Sequence, residues 1–411
     1  MAKGAGPVLQ IDALGRRIER VEGLLSGLNN ALPTSISRAN DEDQQAGGPM
    51  EAASSVNTGK LIQSPTCDGY LPHVNEGHAL LTEYLRDFNS KVPLLAPEAI
   101  YSHVRDCYMG AAKGVASSWI LTYVVFGIAH QLRALGSASH DDTSKAEIYL
   151  DGCLDSFTKV LLEQPSERLV QCLLGVAIML QHSAKSHRVA SFISIAVRMA
   201  QELGYNEAHV SRSHDPTGRV ESYLFWICFF MDADLSMYAL KPSTHKHTDI
   251  TIGLPNANNC DWWSAYPESS FDGTSINILS LHSSLAVIQT QALEELFSAK
   301  ANAQPTKQRV AFQSIIAELA IWRRNSGLAT VTGLQGSDLL HLIILEASYF
   351  RTVYQLEASQ QTGHFTYRQD MFSHIALRSQ RHQQQSGVYR DACRLLSLLA
   401  SLPTEIACLS R

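Results

Sequence analysis

From Tyr223 to Met231 nine consecutive side chains are apolar, and the run is followed at once by Asp232-Ala233-Asp234. Nine residues make about 2.5 turns of α-helix, so apolar groups point in every direction and no face is left for water. Such a helix is stable only when other elements surround it. The segment before it, from Arg188, is amphipathic instead: Phe192, Ile195, Ala196, Met199, Ala200 and Leu203 recur at spacings of three and four. Gly204 stands where a helix ends in a left-handed residue. After Asp234 the chain leaves the core through Lys241-Pro242 and closes with the loop Asp249-Ile250 to Leu254-Pro255.

The rest of the sequence supplies the surroundings. Helical periodicity is expected from Glu76, with a break marked by Pro93 and Pro97, then at about 115–135, 145–163, 168–182, 188–203, 219–238, 277–300, 307–324, 337–358 and 387–401. Strand-like alternation is almost absent. The expected fold class is therefore all-α, a large domain of about ten helices over residues 73–411. The hydrophobic fraction of 45% supports a sizeable core. Residues 33–72, rich in small and polar side chains without periodicity, read as a linker. Residues 1–32 carry a short heptad seam, Ile11, Leu14, Ile18, Val21, Leu25 and Leu28, with Arg17 and Glu22 at flanking g and e positions. That seam reads as a dimerisation helix, or alternatively as an amphipathic helix packed on its own domain; Gly15, Gly23 and Gly27 weaken it either way.

Charge and motif content remove several function classes. A formal net charge of −6 argues against the whole chain being a nucleic-acid binder, which needs a basic footprint. The first ten residues lack the apolar core of a secretory signal, and Trp119–Ala129 is far short of the roughly 20 residues that cross a bilayer. The eight cysteines are scattered and mostly sit in apolar helical patterns, as reduced buried thiols do. No phosphate-cradling loop, nucleophile elbow or dinucleotide fingerprint is present. No catalytic residue, resident cofactor or metal site is expected. His245, His247 and Asp249 are the best candidates for a metal, because alternate residues of an extended segment project to one side; a polar surface loop is the simpler reading. His182 and His187 read as structural or solvated. Asp232 and Asp234 follow the apolar run and need partners if buried, from Lys241 or from an arginine on a neighbouring helix.

Taken in order, these segments resemble the regulatory middle homology domain of fungal zinc-cluster transcription factors. EYLRDFNSKVPLL (83–95) is similar to the family's opening "F…N…P-L-F" helix, with Leu95 at the usual aromatic. Residues 146–181 resemble its "A-x-x-Y-L … P-S … V-Q-A-L-L … L-Q" segment, with Cys172 at the usual alanine. The apolar helix resembles "R-R-x-F-W-x-C-F-x-x-D-R-x-x-S" through Phe225, Trp226, Cys228, Phe229, Asp232 and Ser236. It departs where Ala233 replaces the arginine and where Leu240-Lys241-Pro242 stands for Gly-Arg-Pro. The motif core implied is Ala200, Leu203, Gly204, Phe225, Trp226, Cys228, Phe229, Asp232, Pro242 and Pro255. Segments 281–301, 319–327 and 340–356 resemble the later helices.

The resemblance implies a nuclear regulator of RNA polymerase II transcription, for metabolic or secondary-metabolite genes, that is not an enzyme. Its partners would be the transcription machinery or co-regulators and a small-molecule effector, with a homo- or heterodimer formed through the heptads and no membrane. The family reads DNA with six clustered cysteines and two zinc ions, whereas here no C-x-x-C pair exists. Zinc, and DNA contact, are expected only through an N-terminal module outside this sequence. The chain is expected to start just after that module, through an exon left out of the assembled gene or as a protein without its own DNA reader. In the second case it would act as a co-regulator or dominant inhibitor by heterodimerisation. An α-helical enzyme is the minor alternative, resting on His245, His247 and Asp249 alone.

Overall fold

The computed structural model describes residues 62–63, 70–137, 139–208, 217–255, 270–271, 274–275, 277–328 and 336–359. The heptad seam of 1–32 and the helical pattern at 387–401 lie outside the described residues. The body is all-α, as expected. α1 (Val74–Glu83) runs on as a π-helical turn, Tyr84–Asn89, and is followed by α2 (Pro97–Tyr108), α3 (Ala116–Ser137), α4 (His140–Leu161), α5 (Glu167–Gln181) and α6 (Val189–Glu202). Then come α7 (Thr217–Ala239), α8 (Ile278–Ala292) with its own π-helical turn Leu293–Phe297, the short α9 (Ala299–Asn302), α10 (Pro305–Asn325) and α11 (Gly336–Ser359). Among the described residues strand is confined to two-residue antiparallel ladders, Ile62–Gln63 with Tyr70–Leu71 and Ser270–Phe271 with Thr274–Ser275.

The first ladder corrects the linker boundary. Leu71 is 5% exposed and joins the core, and the Tyr70 N–H donates to the Tyr123 hydroxyl at 2.8 Å. The folded body thus reaches back to Tyr70, ahead of the expected domain start at residue 73. A tyrosine-leucine pair docked on α3 leaves no periodic signal in so short a segment.

Consecutive helices pack on one another along the chain, and three of them are buried nearly all round. Every residue of α3 from Ser117 to His130 is buried, as is α5 from Leu169 to Leu180 and α7 from Tyr223 to Phe229. Close approach of α3 and α5 depends on Gly175: a Cβ there would lie 2.6 Å from Val124 Cγ1 and 3.2 Å from Val124 Cβ. The caps follow local chemistry. Ser166, the serine of the "P-S" segment, accepts the Leu169 N–H at 3.3 Å and opens α5. Ser139 does the same for α4 through the Asp142 N–H at 3.2 Å.

The proline-marked break between α1 and α2 is held by one side chain. Asn89, fully buried, donates from Nδ2 to the Leu95 carbonyl at 2.8 Å and accepts the Leu95 N–H on Oδ1 at 3.2 Å. It satisfies both backbone groups of a residue that has no helix or sheet to do so. This gives the asparagine of the opening motif its physical role, and Leu94 and Leu95 pass beneath it fully buried.

Two hydrophobic clusters result. The larger is built from α1–α7 with Leu279 and Ala286 of α8, and the smaller from the rest of α8, α10 and α11 with Met237. α7 feeds both: Phe225 to Ala233 lie in the first and Met237 in the second. At their junction sits a polar layer, described next.

Candidate functional site

The C-terminal half of α7 carries the two carboxylates singled out in the sequence, and each turns to a different neighbour. Asp232 is 5% exposed. Its Oδ2 accepts the Thr244 N–H at 2.7 Å and the Ser243 hydroxyl at 2.5 Å, and its Oδ1 accepts the Thr244 hydroxyl at 2.8 Å. Three donors from the loop after α7 thus converge on one carboxylate. Asp234 faces α8 and α11 instead, accepting from Arg351 Nη1 at 2.9 Å, from Gln289 Nε2 at 3.3 Å and from the Ser348 hydroxyl. Gln289 also donates to Thr352 Oγ1 at 2.9 Å. Burial alone would raise the Asp234 carboxyl, but the Arg351 guanidinium, the Ser348 hydroxyl and His282 hold it below the ordinary carboxylate range.

The expectation of an arginine from a neighbouring helix is met for Asp234. Lys241 is not a partner for Asp232: it is exposed, and hydroxyl and amide donors take its place. The reason is local. Lys241 N bonds back to the Ser236 carbonyl at 3.0 Å and closes the helix, which turns its side chain outward.

The latched loop covers the ends of α6 and α7. α6 ends in a Schellman motif, with the Tyr205 N–H on the Ala200 carbonyl at 3.0 Å and the Gly204 N–H on the Gln201 carbonyl at 2.9 Å. Gly204 has φ +75°, as its position in the sequence predicts. α7 ends in the same way at Leu240, whose φ of +50° is left-handed although it carries a side chain. Further along, Asn206 Nδ2 donates to the Asp249 carbonyl at 3.2 Å, Thr251 N donates to the Asn206 carbonyl at 3.0 Å, and Trp226 Nε1 donates to the Gly253 carbonyl at 2.9 Å. The loop is thereby tied to the body at Asp232, Asn206 and Trp226.

Of the implied motif core, Ala200, Phe225, Trp226, Cys228, Phe229, Asp232 and Pro255 are buried. Leu203 and Gly204 are half-buried at the helix end, and Pro242 is exposed on the loop. The α6 face is rotated from expectation: Val189, Ile193, Ala196, Val197 and Ala200 are deepest, while Phe192, Ile195, Met199 and Leu203 pack at its margin. α6 lies between α5 and α7, so it needs a wider apolar arc than one three-and-four stripe supplies.

His245, His247 and Asp249 do not converge. The segment His247–Asp249 is a 3-10 turn, so the premise of an extended strand fails. His245 turns inward, edge-on to Phe225 with centroids 5.3 Å apart, and its Nδ1 meets the Gln201 amide. Its burial lowers its pKa, against the opposing pull of Asp249 and Asp232. His247 faces Glu294 at 3.7 Å, while Asp249 is exposed. Among the described residues no group of three or more His, Cys, Asp or Glu is placed to share a metal ion. Cys107, Cys153, Cys172 and Cys228 are buried thiols outside any disulfide, and burial pushes the Cys228 thiol well above its ordinary range. Such thiols fill space and are poor nucleophiles. Sequence reasoning missed the Ser243–Thr244 pair, which became visible only once the loop folded back on α7.

The described residues thus form a helical body with a loop tied down on its central helix, in which Asp232 and Asp234 are both held by structural partners. Residues 81–325, more than half of the chain, match the family described as the fungal specific transcription factor domain, and the chain belongs to that family. It is 24% identical over 295 residues to an ABC-transporter-regulating transcription factor of Aspergillus oryzae, covering 68% of this chain and 32% of that protein. It is 25% identical over 296 residues to the protein of the same description from Aspergillus fumigatus, with the same coverage of 68% and 32%. A Fusaridione A cluster transcription factor of Fusarium heterosporum is 22% identical over 256 residues, 62% of this chain and 48% of that one. The chain therefore spans about a third of the length of the first two curated relatives it matches, at 32% of each. No solved structure matches.

Proposed function

We propose that this chain is the regulatory body of a fungal transcription regulator that acts in the nucleus on RNA polymerase II genes. The observation that carries the reading is that the family match over 81–325 encloses both the Asn89 clasp and the whole latched loop. The relatives' descriptions, regulation of an ABC transporter and of a metabolite cluster, support targets in export and secondary metabolism. No described helix is long and apolar enough to cross a membrane.

The mechanism is a population shift. A loop held by a few hydrogen bonds to one carboxylate can exist docked or released, and an effector that favours one state biases what the body presents to the transcription machinery. DNA is reached through a zinc-cluster module outside this sequence. Deleting the coding sequence and profiling transcripts tests the proposal: coordinated change in transporter or metabolite-cluster transcripts is expected, and an unchanged profile contradicts it. A gel shift should show no sequence-selective binding by the purified chain. Tight, selective binding at moderate salt would overturn the assignment of DNA reading to another module.

The heptad seam Ile11–Leu28 supports a second element of the reading, pairing with another copy or with a relative. Sedimentation of the chain with and without residues 1–32 tests it. Equal masses at all concentrations would remove dimerisation.

A further inference from the structure

Between the loop leaving α7 and the corner formed by the α8 π-turn, α9 and the start of α10 lies a cleft of about 660 Å³. That volume falls within the roughly 300–1,000 Å³ of sites that hold small organic molecules. Leu293, Phe297 and Ala311 supply an apolar floor, and Lys241, Lys246 and Lys307 stand on the rim.

The cleft also contains two carboxylates, Glu294 and Glu295, against its three lysines. Glu294 Oε1 lies 3.7 Å from His247 Nδ1, and Glu295 Oε1 accepts from Gln291 Nε2 at 3.2 Å. Lys241, Lys246 and Lys307 form no ion pair among the described residues. Three lysines against two carboxylates leave the cleft with an excess of positive charge above an apolar surface. Both walls are irregular where ordinary backbone would do: Leu240 is left-handed, and Leu293–Phe297 is π-helical. Deviations of these two kinds concentrate at ligand sites. Finally, Ser243 lines the cleft while its hydroxyl donates to Asp232, so whatever occupies the cleft touches the latch.

We propose that this cleft binds an organic acid with an apolar body, its anionic head held by Lys241, Lys246 and Lys307, and that occupancy tightens the loop through Ser243. The inference rests on the reading of the domain as a ligand-responsive regulator. It assigns that response a place and a ligand chemistry.

The test is calorimetric titration of the full chain with dodecanoate, using dodecyltrimethylammonium as a cation of equal chain length. Saturable, one-site binding of dodecanoate is expected, with at least a tenfold weaker Kd in the Lys241→Gln/Lys246→Gln/Lys307→Gln variant and no saturable binding of the cation. The three lysines are exposed, so this variant should melt as the parent does. Ala311→Trp, which fills the floor, should also weaken binding. Hydrogen exchange at Thr244 should slow in bound protein. Absence of saturable binding, equal binding of the cation, or an unchanged Kd in the triple variant would overturn the site; unchanged exchange at Thr244 would overturn the coupling. A chain that binds nothing here but whose deletion alters transcripts sinks the cleft alone. Binding through these lysines in a chain whose deletion changes no transcript sinks the transcriptional reading instead.

Discussion

Asp232 and Thr244 are joined twice: the carboxylate accepts the threonine N–H at 2.7 Å and its hydroxyl at 2.8 Å, with the Ser243 hydroxyl as a third donor. This one side chain fixes the path of the loop that covers α6 and α7. Asp232→Ala should lower unfolding free energy by about 3 kcal/mol, because donors lose a charged acceptor in a mostly buried place. The measurement is urea denaturation, paired with hydrogen exchange at Thr244, which should accelerate. Asp232→Asn keeps an acceptor oxygen and should lose less. Parental stability in the alanine variant would show that the latch is held by something else.

Leu240 sits at φ +50°, at the position where the resembling family has glycine. A side chain in the left-handed region costs about 1–2 kcal/mol, only partly offset by the extra unfolded-state freedom of glycine. Leu240 is 38% exposed, so little burial is lost with it. Leu240→Gly should stabilise the domain by about 0.5–1 kcal/mol, whereas Leu240→Ala, which keeps the Cβ, should not. Thermal melts of the two variants decide the matter, and a destabilised glycine variant would contradict the account.

Asn89→Ala should cost about 2–3 kcal/mol, since it strips both partners from the buried Leu95 backbone. Asn89→Asp should not rescue it, because a carboxylate cannot donate to the Leu95 carbonyl that Nδ2 now satisfies. Chemical denaturation of both variants is the check.

Acid should weaken this fold well above the carboxylate range. Burial lowers His282 and His341 from 6.5 to about 4 each. His282 stacks on Phe230 and feels Asp234 and His341; His341 Nε2 meets the Asp87 carbonyl, with Lys91 and Asp338 near. Their folded values lie below the unfolded one, so their contribution is complete above about pH 6.5 and is lost as pH falls toward about 4. Each accounts for about 3 kcal/mol when fully lost. His103, His130 and His245 are displaced in the same direction by burial. Asp234, held low chiefly by Arg351 against its burial, adds a further loss only below about pH 4. Denaturation midpoints should fall steadily from pH 7 to pH 4.5, and His341→Gln, which can still donate to Asp87, should make that fall shallower. A flat profile would contradict the assignment.

The helices were legible because burial writes itself into sequence as periodicity. Tyr223–Met231 announced a helix surrounded on all sides, and Gly204 announced its own conformation. Asp232 and Asp234 announced that they needed partners, and Arg351 was foreseeable in type for Asp234. The partners of Asp232 were not, because Ser243 and Thr244 reach it only through a turn whose geometry depends on Leu240, a residue that no turn propensity would select. The metal reading of His245, His247 and Asp249 failed on the same ground: it assumed extended backbone where the chain coils into a 3-10 turn. Tyr70 and Leu71 were assigned to the linker because two residues are too few to show a period.

The central claim is that this body controls transcription and that its latched loop takes part. The most direct measurement is reporter output when the full chain is tethered to a heterologous DNA-binding module, with and without Asp232→Ala, at matched protein levels. The account predicts output that differs severalfold from the module alone and changes again when Asp232 is replaced. Output equal to that of the bare module for both chains would contradict it.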